Sequence, residues 1–301
     1  MVETNAGVKS CFDDSSYISS GAIIKEQASA ILRQSDILLK VTPPTITEIK
    51  NVKNSALIIA NFQNSSSAEL LDTIRKKTLT CFALEKLPRI SKTQSFDILS
   101  SQENLSGYQS IIKAAELLKK SVPMMITSAG TLPPIKFLIL GVGIAGLQAI
   151  ATAKRLGAKV YAHDIRDETK EQVQSLGAIF IQNINEIISD VDVVIASAFS
   201  QNKKAPVIIK KTTIKDMKKG ALLIDMAISQ GGNIEGSKNL KNINIYNCQI
   251  YANSNLANLV PQSASTLYSN NLSNFIEYLG LKAKTKPILN ISDDVIKAVL
   301  L

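Results

Sequence analysis

The sequence has no tryptophan, and its 301 residues include only seven tyrosines and eight phenylalanines. Its cores must therefore be built mainly from isoleucine, leucine, valine and alanine. The three cysteines, Cys11, Cys81 and Cys248, lie far apart and form neither a CxxC motif nor a metal-ligand spacing. An odd, scattered set of this kind is typical of reduced thiols in a cytoplasm, and no metal site is expected.

Targeting and membrane-spanning segments are also missing from the pattern. The residues after Met1 contain no basic stretch followed by an apolar one, so no signal peptide is expected. The longest apolar run, 137–153, lies at the short end of what a membrane span needs. Three glycines interrupt it, which favours a buried strand that turns into a buried helix. We therefore expect no transmembrane helix.

The formal net charge of +9 comes from scattered lysines rather than from one basic arm. No arginine-rich segment or alternation of aromatic and basic residues accompanies it, so we expect no nucleic-acid partner. Solvated surface lysines are the simplest interpretation. A charge of this size also favours an acidic partner or a membrane surface.

Short apolar segments alternate with amphipathic ones along most of the chain, which predicts parallel sheets covered by helices. The predicted fold class is α/β, with two doubly wound, Rossmann-like parallel-sheet domains joined by long helices. We predict an N-terminal lobe from residues 1–103 plus 262–301, and a Rossmann domain over 104–261. Helices predicted over 104–120 and 263–279 make the two connections.

A glycine-rich motif of the form GxGxxG follows the predicted strand 135–140 and opens a predicted helix. That context is the one in which the motif binds a dinucleotide. The first glycine permits a tight turn, the second lets a pyrophosphate approach the backbone, and the third lets helix and strand pack closely. The helix N-terminus offers N–H groups and a positive dipole end to the phosphates. The residues of this candidate cofactor site are Gly141, Val142, Gly143, Ile144, Ala145 and Gly146.

A carboxylate closes the next predicted strand, at Asp164. In this position it can accept hydrogen bonds from the adenosine ribose hydroxyls and repel a 2′-phosphate, which selects NAD(H) over NADP(H). Ile165 and Arg166 complete the candidate site, and Arg166 is the residue that can soften this preference. His163, the only histidine, is interpreted as a rim residue rather than as a proton-transfer base. The structural alternative is a turn aspartate beside a glycine loop.

Several stretches carry a family resemblance around this motif. They are Leu87–Tyr108, Met124–Pro134, Gly146–Ala178, KGALLIDMAISQGGN and VPQSASTLYSNNLSNF. Together they resemble the alpha subunit of NAD(P) transhydrogenase in its NAD(H)-binding first domain, within the alanine dehydrogenase and transhydrogenase superfamily. The glycine motif is shared with alanine dehydrogenases, whereas the stretch Leu87–Tyr108 is more specific to transhydrogenase.

The resemblance assigns roles to five polar residues upstream of the glycine motif. It implies that Arg89 lies near the carboxamide and pyrophosphate, and that Gln94 holds the ribose beside the partner's nucleotide. Asp97 and Ser100 would hydrogen-bond the carboxamide, and Tyr108 would support the loop. Hydride transfer needs two rings in contact and water kept out, which polar groups without an acid–base role can provide. A solvated polar loop is the alternative interpretation.

The resemblance also implies a reaction and its partners. The family moves hydride from NADH to NADP⁺ and couples this to proton translocation across a membrane. One glycine motif and no membrane span imply that this chain supplies the NAD(H) half. NADP(H) and the proton channel would then belong to partner subunits. A homodimer is expected, in the cytoplasm and peripheral to the inner membrane through those partners.

Departures from the family pattern keep two other functions open. The chain begins after the family's first strand, so we expect the N-terminal lobe to lack it. A long insert that closes over the nucleotide is reduced to 182–191, which leaves a non-catalytic NAD(H)-binding or assembly subunit open. An alanine dehydrogenase is the other alternative, with Lys40 as its substrate lysine. The catalytic histidine and aspartate of that family fall here near Asn61 or Phe62 and at Ser229.

Overall fold

A computed structural model describes residues 1–62, 67–199, 204–281 and 292–301 of the chain. These residues divide into two compact units. Unit 1 comprises Met1–Ser101 and Pro261–Leu301, and unit 2 comprises Gln102–Val260. The sequence placed these boundaries after residues 103 and 261, and its N-terminal lobe includes 63–66 and 282–291, which lie outside the described residues.

Helices and strands alternate along both units. Those from the N-terminus to the first long helix are β1 (Val2–Glu3), α1 (Asp14–Ser19), β2 (Ile24–Lys25), α2 (Ala28–Gln34), β3 (Ile37–Leu39), α3 (Ile46–Asn51), β4 (Leu57–Ala60), α4 (Ala68–Lys76), β5 (Thr80–Ala83) and α5 (Ile98–Leu118). The next are β6 (Met125–Thr127), β7 (Gly130–Leu132), β8 (Lys136–Leu140), α6 (Ile144–Arg155), β9 (Lys159–His163), α7 (Thr169–Ser175), β10 (Ile179–Phe180), β11 (Val193–Ala196), α8 (Lys211–Lys215), β12 (Leu222–Asp225), β13 (Asn242–Ile245) and β14 (Cys248–Ala252). The last are α9 (Pro261–Tyr278) and α10 (Asp294–Val299).

Unit 1 contains a three-stranded parallel sheet in the order β3-β4-β5, and β1 pairs with β2 in a separate parallel pair. Strand β4 is buried along its whole length, as expected for a central strand with helices on both faces. One apolar cluster gathers Phe82, Phe96 and Phe275 with residues of α9 and α10. A second cluster packs α3 and α4 against the sheet through Ile49, Leu70 and other residues.

Unit 2 contains a seven-stranded sheet in the order β10-β9-β8-β11-β12-β14-β13, and β13 is its antiparallel edge strand. The order reverses between β8 and β11, since β9 lies on one side of β8 and β11 on the other. In a doubly wound sheet the crevice at such a reversal, at the carboxyl ends of the strands, is where ligands bind. The fold therefore directs attention to the residues that follow β8 and β11.

Both faces of this sheet are covered. On β8, Phe137 and Ile139 join the apolar cluster that includes α6, while Leu138 and Leu140 join the cluster on the opposite face. All four side chains have zero exposure, which explains why the sequence shows one continuous apolar run here rather than an alternation. The α/β class with parallel sheets, predicted from the sequence, is confirmed.

Some elements differ from the sequence prediction. Helix α5 begins at Ile98, six residues before the predicted start at Asn104, because the carboxylate of Asp97 accepts a hydrogen bond from the Ser100 N–H at 3.0 Å and satisfies the first turn. Strands β13 and β14 and the β6–β7 hairpin were not predicted. Across the described ranges, no helix combines the length and the apolar character that crossing a membrane requires.

Candidate functional site

The glycine-rich turn lies where β8 ends, at the reversal point of the sheet. Gly141 has φ of +90°, and a Cβ built on it would lie 2.7 Å from the Ala198 Cα, beyond the end of β11. A side chain at this position would therefore force apart two neighbouring strand ends. Ser197 reinforces the turn, since its hydroxyl donates to the Gly141 carbonyl at 3.1 Å.

The other two glycines of the motif have opposite surroundings. A Cβ on Gly146 would lie 2.0 Å from the Gly141 carbonyl oxygen, so the start of α6 packs directly on the turn. A Cβ on Gly143 would meet nothing within 4 Å. Gly143 is the N-cap of α6 and caps it without a side chain, which leaves open space in front of the first turn of a 12-residue helix. Such a terminus suits an anion.

Asp164, immediately after β9, reaches this turn. Its Oδ2 accepts a hydrogen bond from the Val142 N–H at 2.7 Å, and its Oδ1 accepts one from the Arg166 N–H at 3.0 Å. The Arg166 guanidinium binds both oxygens, with Nε to Oδ1 at 2.9 Å and Nη2 to Oδ2 at 3.0 Å. The carboxylate thus accepts four hydrogen bonds, which is about its full capacity.

The charge of Asp164 is maintained by this arrangement. Burial raises the pKa of its carboxyl, but hydrogen bonds from Arg166 and the Val142 N–H outweigh burial, so that the net pKa is below 3.8. The same ion pair raises the pKa of Arg166. Asp164 therefore stays ionised throughout the neutral range. The sequence placed the carboxylate correctly but did not predict that Arg166 covers it.

Ile165 and His163 flank this carboxylate. Ile165 is 94% exposed, an unusual position for a large aliphatic side chain and one that suits an apolar ring of a ligand. The His163 Nδ1 lies 3.1 Å from the Ile181 carbonyl oxygen, so the ring is held toward the neighbouring strand. This contact is consistent with the interpretation of His163 as a rim residue.

A buried polar network, not predicted from the sequence, supports the strand ends beside the turn. Asp225, with zero exposure, accepts hydrogen bonds from the Ser237 hydroxyl and from three backbone N–H groups, those of Ala227, Asn233 and Ile234. The Asn233 amide bonds both the N–H and the carbonyl of Ala198. These contacts fix the loop after β12 against the loop after β11.

A shallow pocket opens beside this network. Its lining includes Ala145, in the first turn of α6, with residues of the loop after β12 and of α5. The lining residues are Glu103, Ser106, Ala145, Phe199, Met226, Ala227, Ser229, Gln230 and Ser254. Polar groups here lie next to the proposed anion site, so the pocket continues the same crevice.

Gly107 is another functional residue that the sequence analysis missed. A Cβ on it would lie 2.1 Å from the Ala145 carbonyl oxygen, so α5 passes in close contact with the first turn of α6. A glycine inside a predicted helix was the available signal, because it costs stability without a packing reason. Tyr108, which follows it, is 39% exposed.

The remaining predicted site residues belong to unit 1, in the segment Arg89–Ser100. Residues Ser91–Phe96 form a 3-10 helix, and α5 follows directly. Asp97 is buried and its Oδ2 accepts a hydrogen bond from the Ser100 hydroxyl at 2.5 Å, so these two residues are brought together. Gln94 and Arg89 are exposed. Thr93, which the sequence analysis missed, is fully buried and donates to the Pro88 carbonyl at 2.5 Å.

Replacing Asp164 by alanine should weaken NADH binding by about 1–3 kcal/mol, because charge-assisted hydrogen bonds to the ribose are lost. Arg166 loses its partner in this variant, so NADPH should lose less affinity than NADH. Calorimetric titration of both nucleotides measures the two effects. Asp167→Ala, an exposed carboxylate in the same loop, is the matched control. Unchanged NADH affinity in Asp164→Ala would show that the ribose is held elsewhere.

A strand, a glycine turn with open space before a helix, and a carboxylate at the next strand end define a dinucleotide-binding α/β oxidoreductase domain. Comparison with known families agrees. The model for the alanine dehydrogenase/PNT C-terminal domain matches residues 110–301, and the model for the alanine dehydrogenase/PNT N-terminal domain matches residues 1–106. The chain belongs to this family of NAD-binding proteins.

Curated relatives within the family carry a more particular name, that of the first of the polypeptides into which the NAD(P) transhydrogenase alpha subunit is divided. The chain is 37% identical to this protein from Rickettsia prowazekii, with coverage of 100% of this chain and 85% of the relative. It is 36% identical to the protein of the same name from Rhodospirillum rubrum, with coverage of 92% and 81%. The resemblance to transhydrogenase alpha subunits is confirmed.

Solved structures support the same conclusion. A transhydrogenase from Sinorhizobium meliloti superposes with a TM-score of 0.93 at 38% identity, covering 100% of this chain and 88% of that one. An L-alanine dehydrogenase superposes with a TM-score of 0.84 at 23% identity, covering 99% and 85%. The second likeness concerns the fold alone.

Proposed function

We propose that the chain is the NAD(H)-binding subunit of a proton-translocating NAD(P) transhydrogenase, and that it passes hydride from NADH to NADP⁺ held on a partner domain. The observation that carries this proposal is the open space at Gly143, before an uncapped helix N-terminus and beside the ionised Asp164. The names of the similar relatives support the same reaction.

Binding of the adenosine half involves an exchange of partners at Asp164. Its four hydrogen bonds comprise two from backbone N–H groups and two from the Arg166 guanidinium. The two ribose hydroxyls replace the guanidinium, while the backbone donors keep the carboxylate in place. Half of the Arg166 side chain is already exposed, so its displacement costs little. The diphosphate then lies against the first turn of α6.

The nicotinamide end is assigned to the Arg89–Ser100 segment. Hydride passes directly between two rings, so the protein needs no proton donor at the reacting carbon and must instead orient the rings and exclude water. Gln94 is exposed and available to a nucleotide on a partner. Asp97 and Ser100, already bonded to each other, offer a fixed acceptor and donor for the carboxamide. Tyr108 supports this segment.

The NADP(H) site and the proton channel are assigned to membrane-spanning and NADP(H)-binding partner subunits. The chain itself functions as a homodimer at the cytoplasmic side of the inner membrane, bound there through these partners. Its formal net charge of +9 favours such a location because anionic lipid headgroups attract basic proteins.

Alanine dehydrogenase activity is disfavoured by the residues at the relevant positions. Reductive amination needs a proton donor near the substrate carbonyl. Phe62 is buried and its N–H donates to Glu85, while Ser229 supplies a hydroxyl in place of a carboxylic acid. NADH oxidation with pyruvate and ammonium should therefore stay at background. A robust rate would favour the dehydrogenase.

The proposed reaction is tested by mixing the purified chain with an NADP(H)-binding transhydrogenase domain, NADH and an NADP⁺ analogue whose reduced form absorbs at a separate wavelength. Reduction of the analogue is expected only when the chain, NADH and the partner domain are present together. Tight NADH binding without any transfer would instead favour a non-catalytic NAD(H)-binding or assembly subunit.

Gln94→Ala should slow hydride transfer about tenfold or more, because a small misplacement of the rings is expensive in rate. The NADH dissociation constant should change by less than about twofold, since the diphosphate and ribose contacts lie in unit 2 and are retained. Single-turnover transfer and NADH titration separate the two effects. Ser95→Ala, an exposed neighbour, is the control. A loss of affinity with an unchanged transfer rate would contradict the proposed role.

A further inference from the structure

The Arg89–Ser100 segment has little regular structure of its own. Its 3-10 helix, Ser91–Phe96, is six residues long, whereas such helices rarely exceed three or four because their hydrogen bonds have poor geometry. A segment of this kind keeps one conformation only when other elements hold it. If Gln94, Asp97 and Ser100 orient a nicotinamide ring, the groups that hold the segment also control transfer.

Helix α9 supplies these groups within unit 1. The Nδ2 atoms of Asn271 and Asn274 both donate to the Ser95 carbonyl, at 3.0 and 2.8 Å. The Asn271 Oδ1 accepts a hydrogen bond from the Ser101 hydroxyl at 2.6 Å. One buried amide therefore bridges Ser95 and Ser101, which flank Asp97 and Ser100. Phe96 anchors the same stretch, with its ring centroid 5.6 Å from that of Phe275.

An ion pair also reaches the segment, but it contributes less. The Lys92 Nζ lies 2.9 Å from the Asp293 Oδ2, and the Tyr278 hydroxyl donates to the same oxygen at 2.6 Å. The Lys92 side chain is 54% exposed, and ion pairs in that environment are screened and weak. Asn271 is only 6% exposed, so its hydrogen bonds are made away from water, where an unpaired donor is costly.

We propose that Asn271 and Asn274 are positioning residues for hydride transfer, which hold the backbone between Gln94 and Ser100 in the geometry that orients the nicotinamide. This inference rests on the proposed transhydrogenase function. They act through the Ser95 carbonyl and the Ser101 hydroxyl, without touching the nucleotide. An amide is required at position 271, since it must donate to Ser95 and accept from Ser101 at once.

The test compares variants of the full chain in transfer and in NADH binding. Asn271→Asp keeps the shape and the acceptor but places an oxygen against the Ser95 carbonyl, so transfer should fall about 10- to 100-fold with the NADH dissociation constant changed by less than about twofold. Asn274→Ala, at the half-buried edge, should fold normally and lower transfer by a smaller factor. Asn270→Ala, exposed on the same helix, should leave both quantities unchanged.

Amide hydrogen exchange provides a readout that does not depend on turnover. Exchange across residues 91–101 should accelerate in Asn271→Asp and Asn274→Ala but stay at the wild-type rate in Asn270→Ala. Wild-type exchange in both variants, or transfer at the wild-type rate despite faster exchange, would overturn the positioning role. Absence of transfer in the wild-type chain would instead refute the proposed function, and the exchange rates would still decide whether the two asparagines hold the segment.

Discussion

Gly143→Ala is expected to weaken NADH binding about 100-fold while leaving the free energy of unfolding unchanged. A Cβ at this position meets nothing within 4 Å in the nucleotide-free chain, and the backbone, with φ of −83° and ψ of −164°, is one that alanine adopts without strain. The added methyl group occupies the space through which a diphosphate reaches the first turn of α6. Loss of one charge-assisted hydrogen bond costs about 1.5–3 kcal/mol, which corresponds to roughly a 100-fold change.

The measurement pairs NADH titration with urea unfolding of the same preparation. Unchanged urea midpoints show that any loss of affinity arises at the site rather than from the fold. If Gly143→Ala binds NADH as tightly as the wild-type chain, the diphosphate does not approach this turn.

Gly146→Ala should destabilise the chain by about 2–3 kcal/mol and abolish NADH binding with it. Alanine normally stabilises a helix interior by about 1 kcal/mol relative to glycine, so the intrinsic effect has the opposite sign. Here the new Cβ would lie 2.0 Å from the Gly141 carbonyl oxygen and 3.0 Å from its carbon. Both atoms belong to the backbone of the turn, which must shift or separate from α6.

Urea denaturation measures this effect, and Gly143→Ala is its matched control three residues earlier. A Gly146→Ala variant as stable as the wild-type chain would show that α6 does not pack on the turn as described. The pair also separates the two roles within one motif, because one glycine makes room for the ligand and the other makes room for the fold.

The fold of unit 2 was largely predictable because each of its elements carries a local signal. The apolar run 137–140, the glycine motif and Gly157, with φ of +81° at the end of α6, fix a strand, a turn and a helix without reference to distant residues. Strands β13 and β14 were missed because their polar residues, such as Asn242 and Asn244, interrupt the apolar pattern. Their pairing depends on tertiary contacts rather than on local preference.

The candidate site was predicted in its chemistry but not in its contacts. GxGxxG and an acid at the next strand end are sequence signals with a known spacing. In contrast, Arg166 covering Asp164, Asn233 holding Ala198 and Asn271 holding Ser95 join residues through space. The last pair is separated by 176 positions in the chain, so no local pattern reveals it.

A crystal structure of the chain with NADH tests the central claim most directly. The expected result has the diphosphate within about 3 Å of N–H groups in the first turn of α6, which is hydrogen-bond distance. The ribose hydroxyls should bond Asp164, with the Arg166 guanidinium displaced from it. Nucleotide bound elsewhere, with the Arg166–Asp164 pair intact and the space at Gly143 empty, would contradict the assignment.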